Sequence, residues 1–331
     1  MRRTVSFIVP VRNDADRLRV CLRSMLANDQ SEARLEIIVV DNGSVDHSAE
    51  VARLAWARVI QIDEDSGVAH LRNAGAAQAT GDILAFVDAD HEIASTWVTA
   101  AIQALNADDV AAAGALCHAP LDGTWVQRAY GAMRGIPCGV HDVEWLGSGN
   151  MAVRRTVFEA VGGFDTSLTT CEDVDLCNRV RATGARIVSD ARMKNIHYGD
   201  PATLWEVFKG EVWRGQDNLR VSLRGQLTWR GLPSVLIPVV DVVMLATALV
   251  GILSAAAGWA AGLVAALAAV LVLTAGAGLR VVHGMARNRR FGAVGLLQTL
   301  AVAVVYDVAR AVALLMRAPH RSTRAETVAV P

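Results

Sequence analysis

The sequence has little cysteine, and its five cysteines never stand at the C-x-x-C spacing of a structural zinc site. They are odd in number and widely scattered, which predicts free thiols in a reducing compartment rather than a disulfide framework. The chain also lacks an excess of either charge, since 32 Lys and Arg residues balance 33 Asp and Glu residues. Without a strongly basic region, we expect no nucleic-acid partner.

The N-terminal segment matches neither a secretory signal nor a dinucleotide-binding turn. Arg2 and Arg3 precede the apolar run Val5 to Val11, but this run is too short and no small-residue cleavage site follows it. An NAD-dependent dehydrogenase needs a Gly-x-Gly-x-x-Gly turn after its first strand, whereas this turn reads Pro10 to Asp14. We therefore interpret the run as a buried first strand and expect the folded domain to stay in the cytoplasm.

Short apolar runs and amphipathic stretches alternate along the first two thirds of the chain. The runs predict strands at Val5–Val9, Leu35–Val40, Val59–Ile62, Ile83–Val87 and Val110–Ala115. The stretches between them predict helices at Asp16–Leu26, Asp46–Ala55, Val68–Ala79 and Thr96–Leu105. This order favours an α/β fold with a mixed, mainly parallel sheet and helices on both faces, in a domain over residues 1–200.

Composition changes near Pro233, after which three long apolar stretches follow one another. They cover residues 235–257, 259–279 and 291–316. Each is near or above the roughly 20 residues that span a bilayer, so we predict a membrane domain of two or three helices over residues 233–316. Residues 201–232 mix aromatic residues with charges, which predicts an amphipathic helix at the membrane interface. Residues 317–331 form a polar tail.

Arginines next to the apolar stretches predict the orientation of a multi-pass membrane domain. The loop between the second and third stretches contains Arg280, Arg287, Arg289 and Arg290. The positive-inside rule places this loop, and with it the first domain, on the cytoplasmic side of the inner membrane. If all three stretches span, the tail leaves the membrane outside and takes with it Arg317, Arg321 and Arg324. Two alternatives remain open: the third stretch spans, or it re-enters or lies at the interface.

Charged residues inside the apolar stretches should face protein, because each costs about 2.5 to 3.5 kcal/mol at the centre of a bilayer. They are Asp241 in the first stretch, and Asp307 and Arg310 in the third. Asp307 and Arg310 stand three residues apart on one helix face, where they can neutralise each other. Contact between Arg310 and a lipid phosphate is the alternative.

Two carboxylates follow the apolar run Ile83 to Val87. Asp88 and Asp90 are separated by Ala89, so they point the same way if strand geometry continues. Carboxylate oxygens suit Mg²⁺ or Mn²⁺, and ligands of open parallel sheets bind beyond the carboxyl ends of the strands. The pattern therefore indicates a divalent-cation site, with two solvated loop aspartates as the alternative.

Two further segments carry candidate ligand-binding residues. Asp41 ends the run Ile37 to Val40 before a flexible turn, where its carboxylate could accept a hydrogen bond from a nucleotide base. Arg72 lies in the stretch Gly67 to Gly75, and its guanidinium group suits a phosphate or a base edge. Each residue alone could equally be an ordinary surface group.

Taken together, these segments resemble the family 2 glycosyltransferases of GT-A fold. The resemblance covers roughly the first 200 residues and rests on the order of motifs that include Val5–Asp14, Val39–Asp46, Gly67–Gly75, Gly81–Asp90, Gly147–Met151, Gly162–Asp165, Glu172–Leu176 and His197. It implies that Pro10, Asp41, Arg72 and Ala89 contact the nucleotide of a sugar donor. It further implies that Asp88, Asp90 and His197 hold Mg²⁺ or Mn²⁺, with Asp88 also on the nucleotide side.

The resemblance also implies roles on the acceptor side. Asp173 would be the general base toward the acceptor hydroxyl, although acidic residues equally suit the first turn of a helix. Asn150, after two glycines, is a candidate contact to the donor sugar or the acceptor. Arg214 could reach a diphosphate or a lipid headgroup. The chain has Val212 to Gln216 where processive synthases carry Gln-x-x-Arg-Trp, which favours the addition of a single sugar.

We therefore expect an inverting glycosyltransferase that moves a sugar from a UDP- or GDP-sugar to a membrane-associated acceptor, such as a lipid or a cell-envelope glycan precursor. One alternative is a polyprenyl-phosphate sugar transferase that loads a lipid carrier. The other is a membrane scaffold that keeps the fold without catalysis.

Overall fold

A computed structural model describes residues 3–29, 31, 33–62, 66–225, 228, 231–287 and 292–316. Within these residues the strands are β1 (Arg3–Val11), β2 (Ala33–Asn42), β3 (Arg58–Ile62), β4 (Ile83–Val87), β5 (His91–Ile93), β6 (Val110–Gly114), β7 (Val140–Asp142), β8 (Asn150–Arg154), β9 (Arg186–Asp190) and β10 (Asn195–His197). The helices are α1 (Ala15–Leu26), α2 (Ser48–Leu54), α3 (Val68–Gln78), α4 (Trp97–Ala104), α5 (Trp125–Arg134), α6 (Arg155–Ala160), α7 (Glu172–Ala182), α8 (Leu204–Gly215), α9 (Asn218–Arg224), α10 (Leu232–Ala256), α11 (Ala260–Arg287) and α12 (Ala293–Leu315). The tail 317–331 lies outside the described residues, as do Arg289 and Arg290 and the side chain of Arg287.

Eight strands form one sheet in the order β3-β2-β1-β4-β8-β6-β9-β7, and β5 pairs with β10 in a second, two-stranded sheet. Strands β3, β2, β1 and β4 are parallel, whereas β8 runs antiparallel between β4 and β6. Every strand and helix predicted within the first 115 residues is present, with ends that differ by a few residues. The predicted mixed, mainly parallel α/β sheet is therefore confirmed.

Buried apolar side chains pack on both faces of this sheet. On one face Phe7 contacts Trp97 of α4 with ring centroids 5.3 Å apart. On the other face Phe86 contacts both Phe158 and Phe164, at 5.2 and 5.0 Å. Because β1, β2 and β4 are parallel, their carboxyl ends meet at one edge of the sheet, where ligands of such folds bind.

Helices α10, α11 and α12 are each long and apolar enough to cross a membrane. Helix α11 continues to Arg287, well beyond the predicted end at Leu279. The expectation that Arg280 belongs to a loop is therefore wrong, because the helix extends through it. Arg280 donates two hydrogen bonds to Asp307 of α12, the shorter at 2.6 Å. Asp307 thus pairs with Arg280 of the neighbouring helix, not with Arg310 as expected.

Helices α10 and α11 pack as a close hairpin through small residues. A Cβ added to Gly251 would lie 2.6 Å from the carbonyl oxygen of Gly262, and one added to Gly262 would lie 2.6 Å from that of Gly251. Ala248 and Ala266 are buried beside this crossing. The two helix backbones therefore touch without intervening side chains, as small residues allow in membranes.

Helix α12 does not continue this hairpin but crosses its base. Val302 and Ala303 pack in one apolar cluster with Ala277 and Val281 of α11. Further along α12, Arg310 and Leu314 line a small cavity with Ser234, Val235 and Pro238 at the start of α10. Successive positions of α12 therefore meet first α11 and then α10, near the ends of those helices that adjoin the α/β domain.

The same part of α12 packs along α8 of the α/β domain. Val207 shares the apolar cluster that contains Val302. One turn later Glu211 approaches Arg310, and a Cβ added to Gly215 would meet the Ala313 side chain at 2.5 Å. Helix α12 thus lies between the α8 surface and the base of the α10–α11 hairpin.

The hairpin crossing predicts the effect of a large side chain. Gly251→Leu should lower thermal stability in detergent, because overpacking costs about 1 to 3 kcal/mol. Gly276→Leu is the matched control, since a Cβ at Gly276 meets no described atom within 4 Å. Equal melting temperatures for the two variants would contradict the close packing.

Candidate active site

Two of the residues assigned to nucleotide binding, Pro10 and Asp41, lie at the edge where β1 and β2 end. Asp41 is buried, and in the β1–β2 register it pairs with Val11, the residue after Pro10. Its Oδ1 accepts a hydrogen bond from the backbone N–H of Ser44 at 3.1 Å, which holds the turn after β2. Its Oδ2 accepts no hydrogen bond from the residues that the structure describes. One carboxylate oxygen of Asp41 is therefore available to a ligand at this edge.

Arg72 joins two carboxylates from distant parts of the chain. Its Nη2 donates to Asp88 Oδ1 and its Nη1 donates to Glu172 Oε1, each at 2.7 Å. The guanidinium group is almost fully buried, and its Nε has no hydrogen-bond partner among the described residues. Arg72 therefore links the end of β4 to the start of α7 through one hydrogen bond from each of its terminal nitrogens.

Asp90 lies between two histidines. His197 Nε2 is 3.2 Å from Asp90 Oδ2, and His91 Nε2 is 3.7 Å from Asp90 Oδ1. One potential ligand atom from each of the three residues lies within 4.8 Å of the others. A carboxylate with two imidazoles is a suitable donor set for a divalent transition metal such as Mn²⁺. The predicted pair of Asp90 and His197 is brought together, and His91 joins them.

Neighbouring side chains orient both histidines. The Asn195 amide lies 2.7 Å from His91 Nδ1, and Asp200 Oδ1 lies 2.9 Å from His197 Nδ1. Arg134 in turn forms an ion pair with Asp200. A group bound to the far nitrogen of a metal-ligating histidine fixes the ring orientation. These contacts leave Nε2 of each ring facing Asp90.

The electrostatics of this cluster follow from its ion pairs. Burial opposes the ionised form of Asp90, yet the hydrogen bond and positive charge of His197 hold the Asp90 pKa below its usual range. Burial lowers the pKa of His197, but hydrogen bonds to Asp200 and Asp90 outweigh it and raise that pKa to about 9. Burial and nearby His197 lower the pKa of His91 to about 4. A proton and a metal ion therefore compete for His197 Nε2.

Two glycines make room for this cluster. A Cβ added to Gly199 would collide with the Asp90 carboxylate and would lie 2.9 Å from His197 Nε2. A Cβ added to Gly149 would lie 2.6 Å from Asp88 Oδ2 and 2.7 Å from His91 Cε1. The absence of a side chain at each glycine thus lets the backbone approach the carboxylates and histidines of the cluster closely.

Asp173 lies on the other side of the Arg72 bridge, beside Glu172. Its Oδ1 accepts a hydrogen bond from the Val174 backbone N–H at 2.7 Å, and a Cβ added to Gly147 would lie 3.9 Å from its Oδ2. Burial first, and the negative charge of Glu172 second, raise the pKa of Asp173 to about 7. A carboxylate with such a pKa can accept a proton near neutral pH.

Three other predicted residues take positions that limit their roles. Asn150 is buried, accepts a hydrogen bond from Trp97 Nε1 at 2.6 Å, and donates to two backbone carbonyls at 3.0 Å. Its amide is therefore committed to packing, so a side-chain contact to donor or acceptor is not supported. Ala89 is buried between the two aspartates. Arg214, on α8, donates to Glu211 Oε1 at 2.9 Å and lies 3.4 Å from the Tyr130 hydroxyl.

Several residues of the site were not predicted from the sequence. His91 directly follows Asp90, and Asp200 and Gly199 stand three and two residues beyond His197, so proximity in sequence was the available signal. Arg17 of α1 carried no such signal. Its Nη1 lies 3.8 Å from Asp90 Oδ2, which adds a positive charge at this edge of the sheet.

Comparison with known proteins identifies the family. Residues 6–162 match the family model described as "Glycosyl transferase family 2". This range includes Asp41, Arg72, Asp88 and Asp90 and stops before Asp173. Residues 6–162 therefore form a glycosyltransferase family 2 domain, and the protein is a glycosyltransferase.

Individual relatives agree with this assignment. The chain is 26% identical over 235 residues to the glycosyltransferase AglE of Haloferax volcanii, which covers 68% of this chain and 76% of that protein. It is 30% identical over 197 residues to a pre-mycofactocin glycosyltransferase of Mycobacterium tuberculosis, covering 56% of this chain and only 40% of that protein. The solved structure of the mannosyltransferase PcManGT from Pyrobaculum calidifontis, in complex with GDP-Man and Mn²⁺, shares the fold at 19% identity and a TM-score of 0.60, over 95% of this chain and 87% of that chain.

The glycine beside the cluster predicts a selective loss of metal binding. Gly199→Ala should bind Mn²⁺ at least about tenfold more weakly, because the new methyl group displaces Asp90 and His197. Calorimetric titration with Mn²⁺ measures this, and Gly131→Ala is the control, since its Cβ meets only Ala119, at 3.4 Å. An unchanged Mn²⁺ affinity in Gly199→Ala would argue against this site.

Proposed function

We propose that this protein transfers one sugar, with inversion, from a nucleoside diphosphate sugar to a hydroxyl group of a membrane-associated acceptor, and that the transfer depends on Mg²⁺ or Mn²⁺. The observation that carries the proposal is the placement of two chemically different groups on either side of Arg72. The cluster of Asp90, His91 and His197, which could hold a metal ion, lies beyond Asp88. Asp173, which can accept a proton, adjoins Glu172 on the other side.

On the donor side, Asp90, His91 and His197 would hold the metal ion. When bound, it would neutralise the negative charge that develops on the leaving diphosphate. Asp41 and the backbone at Pro10 would receive the nucleotide, a proposal supported by the unshared carboxylate oxygen of Asp41 at the same sheet edge. Asp88 remains a proposed ligand through Oδ2, because its Oδ1 is held by Arg72. The GDP-Man and Mn²⁺ of the mannosyltransferase of the same fold are compatible with such a donor.

On the acceptor side, Asp173 would take the proton of the attacking hydroxyl. As that oxygen forms its bond to the anomeric carbon, the bond from this carbon to the diphosphate breaks, and the anomeric configuration inverts. A phosphate acceptor is already ionised at neutral pH and needs no base. The raised pKa of Asp173 therefore favours a hydroxyl acceptor over direct loading of a polyprenyl phosphate.

We further propose that the catalytic domain is cytoplasmic and that α10 and α11 form a two-span anchor in the inner membrane. Helix α12 would then lie at the interface, which is the position its packing between α8 and the hairpin base favours. Two spans return the chain to the cytoplasm. The arginine-rich tail would thus obey the positive-inside rule that a third span would break.

Donor titration tests the proposal directly. The detergent-purified protein should bind one of UDP, GDP or a UDP-sugar in the presence of Mn²⁺ and lose this binding in chelator. Asp90→Ala should lose the metal-dependent part, because it removes a proposed metal ligand. Equal binding of nucleotide with and without metal, by folded wild-type protein, would contradict the assignment.

The proposed base predicts a separation of binding from transfer. Asp173→Asn should bind donor normally but transfer sugar about 10² to 10⁴-fold more slowly, the usual contribution of a positioned base. Asp175→Asn is the matched control, since it removes the same charge from the same helix but pairs with Arg179 at 2.8 Å. Equal rates for the two variants would exclude Asp173 as the base.

The pKa of Asp173 predicts how the rate depends on pH. Only the ionised carboxylate accepts a proton, so the transfer rate at saturating donor should rise with pH through about 7. Glu172→Gln removes the neighbouring negative charge that helps to raise this pKa, so its profile should move to lower pH. A profile that Glu172→Gln leaves in place would refute this origin of the raised pKa.

A further inference from the structure

Arg310 occupies an unusual position for a charged residue. It stands on the apolar helix α12, where its side chain is only 16% exposed. Its nearest anionic atom is Glu211 Oε2 at 3.9 Å, and its guanidinium carbon lies 5.9 Å from the centroid of the Tyr306 ring. Arg310 donates no hydrogen bond to any residue that the structure describes. A guanidinium group offers five N–H donors, so those of Arg310 are available to an anionic ligand.

Arg310, Arg214 and Glu211 lie where α8 meets α12, a region called the junction below, and their charges leave it positive. Glu211 is buried, and its Oε1 already accepts hydrogen bonds from the Tyr130 hydroxyl at 2.6 Å and from Arg214 Nη1 at 2.9 Å. One carboxylate therefore faces two guanidinium groups, those of Arg214 and Arg310. Arg214 is the more exposed of the two, with 39% of its side chain accessible. The junction thus has one positive charge in excess and free donors for an anion.

The junction also adjoins the membrane helices. Arg310 lines a small cavity together with Leu314 of its own helix, Gly215 of α8, and residues at the start of α10, among them Pro238. A Cβ added to Gly215 would lie 3.5 Å from Arg310 Nη1, so the absence of a side chain there keeps the guanidinium group accessible. The free donors therefore lie beside the start of α10, an apolar helix long enough to cross a membrane.

Hydrogen bonds connect the junction to the segment that contains the proposed base, Asp173. The Cys171 thiol lies 3.5 Å from the carbonyl oxygen of Arg214, and the backbone N–H groups of Thr169 and Thr170 donate to Asp217 just beyond α8. Asp173, the second residue of α7, follows Cys171 by two positions. The end of α8, with the junction beside it, therefore holds the loop that positions Asp173.

From this geometry we propose that Arg310, assisted by Arg214, binds the phosphate group of a lipid acceptor. The phosphate lies between the hydrocarbon chain of the lipid and the headgroup hydroxyl that Asp173 deprotonates. The inference rests on the proposed function and specifies its acceptor class. Arginine suits the task because its planar fork can donate two parallel hydrogen bonds to one phosphate.

Binding of dodecyl phosphate in dodecyl maltoside, a detergent without phosphate, tests the inference, with dodecanol and inorganic phosphate as comparison ligands. Wild-type protein should bind dodecyl phosphate more tightly than either. Arg310→Gln should weaken this binding by about tenfold or more, because it removes charge-assisted hydrogen bonds. Arg310→Lys should lose less, since it keeps the charge without the fork. Arg220→Gln on α9, whose guanidinium lies 3.9 Å from Asp217, is the matched control and should bind normally.

Three outcomes would overturn the inference: dodecyl phosphate bound no better than dodecanol, equal binding by Arg310→Gln and wild type, or inorganic phosphate bound as tightly as dodecyl phosphate. The last would indicate a soluble phosphate-bearing ligand instead of a lipid. Metal-dependent nucleotide binding, measured on each variant, reports separately on the fold and on the donor side. If wild-type protein lacks it, the proposed transferase function fails; if it is intact while Arg310 has no effect, only the acceptor assignment fails.

Discussion

The buried bridge from Asp88 through Arg72 to Glu172 is the interaction on which the site depends. A buried arginine is tolerated only when its charge is paired, and here both carboxylates belong to segments that bear the chemistry. The bridge holds the end of β4, with its aspartates, at a fixed position relative to the start of α7. The bridge also separates the cluster of Asp90, His91 and His197 from Asp173. Loss of Arg72 would therefore leave two facing carboxylates and disconnect the two halves of the site.

Much of the fold could be read from the sequence because the strands are continuous apolar runs, and such runs are expected where both faces of a sheet are covered. The site could be predicted only in part. Asp90 and His197 belong to motifs with their own signature, but the partner of Arg72 is a hundred residues away in the chain, so no local pattern reveals that it is Glu172. Asn150 illustrates the converse: it stands in a motif, yet its amide already forms hydrogen bonds to Trp97 and to two backbone carbonyls.

The three apolar helices show why length and composition are incomplete guides. Helix α12 is long and apolar enough to cross a membrane, yet it also packs against α8 and the α10–α11 hairpin. Its contacts also extend toward the active site. Arg310 approaches Glu211, which binds Tyr130; the Tyr130 ring packs against Arg134, and Arg134 pairs with Asp200 behind His197. A series of ion-pair, hydrogen-bond and cation–π contacts thus connects α12 to the cluster of Asp90, His91 and His197.

Packing of α8 directly against α12 has a geometric consequence for substrate choice. Because α8 contacts α12 directly, the catalytic crevice would stand at a constant height above the membrane surface if α12 lies at the interface as proposed. Under the proposed function, a hydroxyl too close to the lipid cannot reach Asp173, and one too far from it overshoots. The enzyme would then select acceptors by the distance between lipid and hydroxyl as well as by their chemistry.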